Sequence, residues 1–254
     1  NVNIPEPRFK QYLVGNTLIN TNGDSEIQLS EATAFNGTIE INTDPVTVGP
    51  GAPAFDVTGL EAFTALTKLV LVPSPASTVG YLQNLDVSQN IALTYLDCNS
   101  NQLTSLDVSN NTALIYLNCA LNYLTSLNVS GCTNLTFLNC GNVGVGSGSP
   151  FQVGNLLTSL DVSTNTSLDT LDCRSNQLTS LVVNGATALT ILNCRDNLLT
   201  CLDVSGATAL TNLSCSANVL EQLNTKNGNW QNMEVSAVNN NLTCVEVGNI
   251  GNAT

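Results

Sequence analysis

The chain has 254 residues, of which 10% are charged, with 19 Asp and Glu against 6 Lys and Arg and a formal net charge of −13. Such a surface repels nucleic acid and anionic membranes, so neither is expected as a partner. The absence of His removes the commonest general base and the commonest zinc ligand, which argues against an enzyme.

From the N-terminus, IPEPRFKQYLVG (residues 4–15) reads as a short amphipathic helix and LSEATAF (29–35) as another, ahead of a first strand-like segment, TIEI (38–41). Between the two helices, NTNGDSEIQLSE (20–31) matches the spacing of a twelve-residue EF-hand calcium loop. Asn20, Asn22 and Asp24 would supply side-chain oxygens, Glu26 its backbone carbonyl, Gln28 a contact through water and Glu31 a bidentate carboxylate, with Ile27 at the usual apolar position. Asn replaces Asp at the first position, and Ser25 stands where the loop normally has Gly. With only two charged ligands, calcium is expected to bind weakly, with Kd of about 10⁻⁴ to 10⁻³ M. The residues leave open a second reading, a cap that keeps the loop shape without an ion. Residues 1–37 are therefore assigned to a helical N-terminal cap and 38–254 to a second unit.

That second unit is periodic. Cys98, Cys119, Cys140, Cys173, Cys194 and Cys215 fall at intervals of 21, 21, 33, 21 and 21 residues, and Leu93, Leu114, Leu135, Leu168, Leu189 and Leu210 keep the same intervals. One unit, LTYLDCNSNQLTSLDVSNNTA (93–113), divides into two near-copies, LxxLxCxxNxL and LxxLxVxxNxA. In each, two apolar residues alternate as a strand requires and Asn follows where the chain must turn. β-Branched and turn-forming residues fill the second half, so no helix is expected between strands. Asn101, Asn122, Asn155, Asn176, Asn197 and Asn218 are expected to stack as an internal ladder bonding backbone groups of their own and neighbouring coils. Glycine and proline mark insertions near 72–81 and 141–154, and NNNLTCVEV restores one half-repeat in a degenerate C-terminal cap.

The LxxLxLxxN pattern over roughly residues 57–249 resembles the leucine-rich-repeat family, in a 21-residue, two-sided form. Together with the EF-hand-like N-terminal segment, it is similar to secreted leucine-rich-repeat proteins of Bacteroidetes-type bacteria. The expected fold is mainly β: a solenoid of about eight coils with two facing parallel sheets and a small helical cap. The six periodic cysteines take the family's inward apolar position and are expected as buried, unbridged thiols, because neighbouring Cβ atoms one strand apart exceed the separation a disulfide wants. Cys132 takes a turn position equivalent to Asn111. Cys201 and Cys244 face outward two coils apart.

On the first sheet Tyr95, Tyr116 and Phe137 fall on consecutive coils beside Asp97, Asn118 and Asn139, an aromatic strip edged by amides that suits a sugar face or a protein hot spot. Stabilisation of an exposed sheet by cross-strand aromatics is the plainer alternative. On the second, Asp86, Asp107, Asp161 and Asp203 make an interrupted acidic column read as solvated charge against aggregation. No apolar run is long enough to span a membrane, and the start at Asn1 suits a mature or trimmed protein. The resemblance implies a non-catalytic, extracellular or cell-surface recognition module, monomeric, binding a protein or glycan. Alternatives are a structural or adhesive stalk without a specific ligand and, more remotely, ice binding through the row Thr104, Thr125, Thr158, Thr179 and Thr200.

Overall fold

A computed structural model describes residues 1–44, 54–74, 77, 79–142 and 154–248. Residues 75–76 and 78 of the first expected insertion and 143–153, most of the second, lie outside them.

The chain opens with helix α1 (Pro7–Gly15), which starts at a proline whose missing N–H costs nothing in the first turn, after Glu6 accepts the Phe9 N–H as an N-cap. Phe9 and Leu13, one turn apart, are the residues it buries. Helix α2 (Leu29–Ala34) begins with a capping box in which Gln28 and Glu31 satisfy each other's backbone donors. Strand β1 (Thr38–Asn42) pairs in parallel with β2 (Lys68–Val72).

From there the chain alternates between two faces in three-residue strands. It passes through β3 (Tyr95–Asp97), β4 (Ser105–Asp107), β5 (Tyr116–Asn118), β6 (Ser126–Asn128) and β7 (Phe137–Asn139). After the second insertion come β8 (Ser159–Asp161), β9 (Thr170–Asp172), β10 (Ser180–Val182), β11 (Ile191–Asn193), β12 (Cys201–Asp203), β13 (Asn212–Ser214), β14 (Gln222–Asn224), β15 (Glu234–Ser236) and β16 (Cys244–Glu246). β1, β2 and the odd strands β3–β7, then β9–β15, form one nine-stranded parallel sheet, about 38 Å along the stack at the usual strand spacing. Beyond Ala34 the only helical turns among the described residues are 3₁₀, at Leu60–Ala62 and Trp230–Asn232. The second face differs from expectation. Its strands form three short sheets, β4-β6, β8-β10 and β12-β14-β16, rather than one. The first break coincides with the 33-residue coil.

The core is a stack of identical layers. Leu69, Leu96, Leu117, Leu138, Leu171 and Leu192 are in register on the first sheet and fully buried, each worth roughly 1.5–3 kcal/mol. The column continues to Val235, which is 45% exposed, as is Val245 on the second face at 49%. The C-terminal segment thus carries the coil onward and leaves its inward positions partly uncovered among the described residues. All six periodic cysteines are buried, and all nine in the chain are free thiols.

Two internal polar ladders hold the corners, and they work differently. At the first corner, Asn122 Nδ2 donates to the carbonyls of Cys119 in its own coil (3.1 Å) and Cys98 in the preceding one (3.0 Å), while its Oδ1 accepts the Leu103 N–H (3.0 Å). Asn155, Asn176, Asn197 and Asn218 repeat this arrangement. The turns before Asn101, Asn122, Asn176, Asn197 and Asn218 are tight enough that Ser100, Leu121, Ser175, Asp196 and Ala217 adopt φ between 53° and 58°. A non-glycine residue there costs about 1–2 kcal/mol, which the three buried hydrogen bonds of the following Asn offset. At the second corner, Asn111 Nδ2 donates to Val87 and Asn90 carbonyls (both 2.9 Å), but Asn90, Asn111 and Asn165 have no partner for Oδ1 among the described residues. Only the donor is used. Cys132 can therefore stand in this ladder, its thiol donating to Val108 O (3.1 Å) and Asn111 O (3.6 Å), and Ala186 and Ala207 occupy the same position in later coils.

The mouth of the second insertion is closed by Asn142. Its Oδ1 accepts the Asn155 N–H (2.8 Å) and its Nδ2 donates to Asn155 O (3.2 Å), so the two ends of the excursion are pinned like paired strands. Gly154 is required there, since a Cβ would collide with the Asn142 amide.

Candidate functional site

Three columns of side chains cover the outer side of the nine-stranded sheet. In register along the first are Lys68, Tyr95, Tyr116, Phe137, Thr170, Ile191 and Asn212. The second carries Asp97, Asn118, Asn139, Asp172 and Asn193. The third, one residue beyond the buried cysteines, carries Asn99, Ala120, Gly141, Arg174 and Arg195. The structure thus brings together all six residues predicted for ligand contact, and all six are half-buried.

The rings of Tyr95 and Tyr116 lie 4.2 Å apart at an interplanar angle of 2°, and those of Tyr116 and Phe137 4.7 Å apart at 4°. Lys68 Nζ sits 4.7 Å from the Tyr95 centroid and covers the ring's free face. The stack runs along the solenoid, so the ring faces are turned toward one another and the edges toward solvent. A sugar stacking on aromatics needs an exposed face; edges and hydroxyls suit the mixed apolar and polar contacts of a protein interface. Burial, and after it the Tyr95 hydroxyl, pushes the Tyr116 phenol up to about 12, so that side chain stays neutral. Lys68 was not singled out from the sequence; following the Tyr95 position back one coil would have found it.

At the N-terminal cap, Asn20, Asn22, Asp24, Glu26, Gln28 and Glu31 lie close together but are engaged with one another. Glu31 Oε1 accepts the N–H groups of Thr21 (2.8 Å) and Asn22 (3.1 Å) and the Thr21 hydroxyl (3.0 Å), and Oε2 accepts the Gln28 N–H (3.0 Å). Asp24 accepts the Glu26 N–H and the side-chain amides of Asn22 and Gln28. Asn20 Nδ2 donates to the carbonyls of Val14 and Asp24, and its Oδ1 accepts the Gly23 N–H. The Glu26 carboxylate pairs with Lys10 (2.6 Å). The left-handed residue of the loop is Gly23 (φ 72°); Ser25 is not in that region. The donor set includes the oxygens calcium prefers, yet a cation would have to displace N–H groups from Glu31 and Asp24 to reach them.

On the second face, Asp86, Asp107, Asp161 and Asp203 each fold back so that Oδ1 accepts the N–H two residues on, at Ser88, Ser109, Ser163 and Ser205. These are turn-forming carboxylates. In the threonine row, the hydroxyls of Thr125 and Thr179 donate to Thr104 O and Thr158 O (both 3.2 Å), so these two bond the neighbouring coil. Cys201 and Cys244 are exposed on this face and flank Gln222, one strand away from each. Among the described residues no group of three or more Cys, Asp or Glu is placed to hold a metal, and no helix is long and apolar enough to cross a membrane.

No family model matches the sequence, and no curated protein does. Solved structures do. The functional domain of InlJ from Listeria monocytogenes, which includes a cysteine ladder, is 34% identical over 93% of this chain and 47% of that one, with a TM-score of 0.69. YopM, a leucine-rich effector protein from Yersinia pestis, is 20% identical over 97% of this chain and 58% of that one, TM-score 0.59. Internalin C2 from Listeria monocytogenes is 16% identical over 96% of this chain and 93% of that one, TM-score 0.53. The latter two speak to fold alone, and the chain spans about half the length of the first two. Parallel three-residue strands on two faces, the register of leucines and cysteines, and these neighbours make the chain a leucine-rich-repeat solenoid.

Proposed function

We propose that the chain is a non-catalytic recognition module, extracellular or cell-surface, that binds a protein partner across the outer side of its nine-stranded sheet. The observation that carries this reading is the column Lys68, Tyr95, Tyr116 and Phe137, four half-buried side chains in register whose edges and hydroxyls face solvent beside an amide column. Aromatic edges held rigid in a stack lose little entropy on binding, as hot-spot residues do. The stacked geometry favours protein over glycan. The extracellular setting rests on the resemblance to secreted bacterial repeat proteins. The N-terminal loop serves this module as a hydrogen-bonded cap, which takes calcium only in competition with its own donors.

The test is a binding screen against arrayed protein ectodomains and glycans, with and without calcium, using the wild-type chain and Tyr116→Ala. A protein partner lost on Tyr116→Ala supports the reading. Glycan binding that depends on Tyr116 would replace the protein partner with a sugar, and partners indifferent to Tyr116 would leave the sheet a structural stalk.

A further inference from the structure

On a chain of net charge −13, two of the six cations, Arg174 and Arg195, stand on consecutive coils at one edge of the aromatic sheet. Beside Arg174 opens a concavity of about 150 Å³, bounded by Asn118 and Asn139 on one side and Arg174 on the other. It exists because the third column is small here. Ala120 and Gly141 stand between Asn99 and Arg174, and a Cβ on Gly141 would come within 2.8 Å of Asp172 Oδ1 and 3.1 Å of Arg174 Cγ. Its one large apolar wall is Leu121, held in the left-handed region at φ 54° where other coils use Ser, Asp, Ala or Asn.

Among the polar groups that line the concavity, Asn118, Asn139 and Arg174 present donors. Asn118 Oδ1 accepts the Ala120 N–H (3.4 Å) and Asn139 Oδ1 the Gly141 N–H (3.1 Å), which turns each Nδ2 outward, that of Asn118 toward the Tyr116 hydroxyl and that of Asn139 with no acceptor among the described residues. Arg174 Nε is buried and lacks a hydrogen-bond partner among the described residues, although Asp172 Oδ2 lies 3.3 Å away out of line. Asp172 is already occupied, its Oδ1 accepting the Arg174 N–H (3.2 Å) and its Oδ2 the Asn193 amide (3.4 Å). The outward amides and the guanidinium, which Asp172 already pairs through Nε, suit an anionic oxygen pair that shares Arg174 with Asp172.

The geometry points to this concavity as the seat for an aspartate or glutamate carboxylate of the protein partner, an assignment that rests on the sheet being the binding face. The acid would dock on Arg174 and the Asn118 and Asn139 amides while apolar neighbours lie along the Tyr116 edge. Charges more than about 8 Å away are largely screened at physiological salt, so the negative charge that the incoming acid must compete with is the adjacent Asp172 carboxylate, 3.3 Å from Arg174 Nε.

A displayed library of random linear peptides, panned on the folded chain, tests it. Peptides bound through the sheet, identified by loss of binding to Tyr116→Ala, are expected to carry Asp or Glu at one fixed position. Replacing that acid by its amide should weaken binding roughly tenfold to the wild-type chain and leave binding to Arg174→Gln unchanged, since the two changes remove one interaction. Gly141→Ala, with native circular dichroism, should weaken the same peptides by closing the seat. Sheet-dependent peptides that show no acid preference and ignore Arg174→Gln overturn the assignment and leave the binding face standing; peptides indifferent to both Tyr116 and Arg174 remove the face as well.

Discussion

The same amino acid does unequal work at the two corners, and substitutions should show it. Asn197→Ala removes the acceptor for the buried Leu178 N–H along with donors to Cys173 O and Cys194 O, and leaving such a group unpaired costs about 1–3 kcal/mol. Asn165→Ala loses donors only and produces what Ala186 and Ala207 already are, so its cost in chemical denaturation should be clearly the smaller of the two. Thiol chemistry gives a second check. Burial pushes the Cys132 thiol up to about 12, Cys215 to about 11 and Cys98, Cys119, Cys140, Cys173 and Cys194 well above the ordinary range. Titration of the native protein with an aromatic disulfide should therefore find Cys201 and Cys244 reactive and the other seven silent until unfolding; a third fast thiol would contradict the buried ladder. The positions of these residues were legible in the 21-residue period. The half-use of the second ladder was not, because spacing reports where an amide stands and not how many of its atoms find partners. The outward Nδ2 of Asn118 and Asn139 escaped for the same reason.

At the scale of elements, both N-terminal helices and the first strand were readable from amphipathic spacing, and the structure places them where TIEI and the segments before it indicated. Less readable was what the loop between the helices does with its oxygens. The Gln28 N–H, with those of Asn22 and Thr21, holds the Glu31 carboxyl below its usual range despite partial burial. Because the folded value is depressed, the stability Glu31 contributes is present above the ordinary value of about 4.5 and is lost as pH falls through the lowered one. Glu31→Gln should therefore lower the melting temperature at neutral pH in calcium-free buffer and flatten the acid side of the stability curve. If the carboxylate served an ion alone, the variant would match wild type until calcium was added. Stacked rings are likewise a property of the sheet: consecutive aromatics announce a column, but their tilt is decided by the roughly 4.8 Å strand spacing, which is close to a stacking distance. The break in the second face was hidden too, since the same Ser-Leu-Asp triplet recurs on both sides of it.

For the molecule as a whole, each first-corner Asn bonds its own coil and the one beneath, and every such partner is a backbone carbonyl or N–H in an equivalent place. Removing residues 177–197 would set Asn218 above Cys173 instead of Cys194 and present it with the same groups. The shortened chain is expected to fold with an unchanged circular dichroism spectrum and to lose one strand spacing of roughly 4.8 Å in length, readable in its crystal structure. Removing residues 177–192 instead breaks the register and should not fold. The period thus behaves as a graduated scale. Evolution can lengthen or shorten the reach of the rod by whole divisions without rewriting any residue, and a partner that spans several coils can be measured against it as against a ruler.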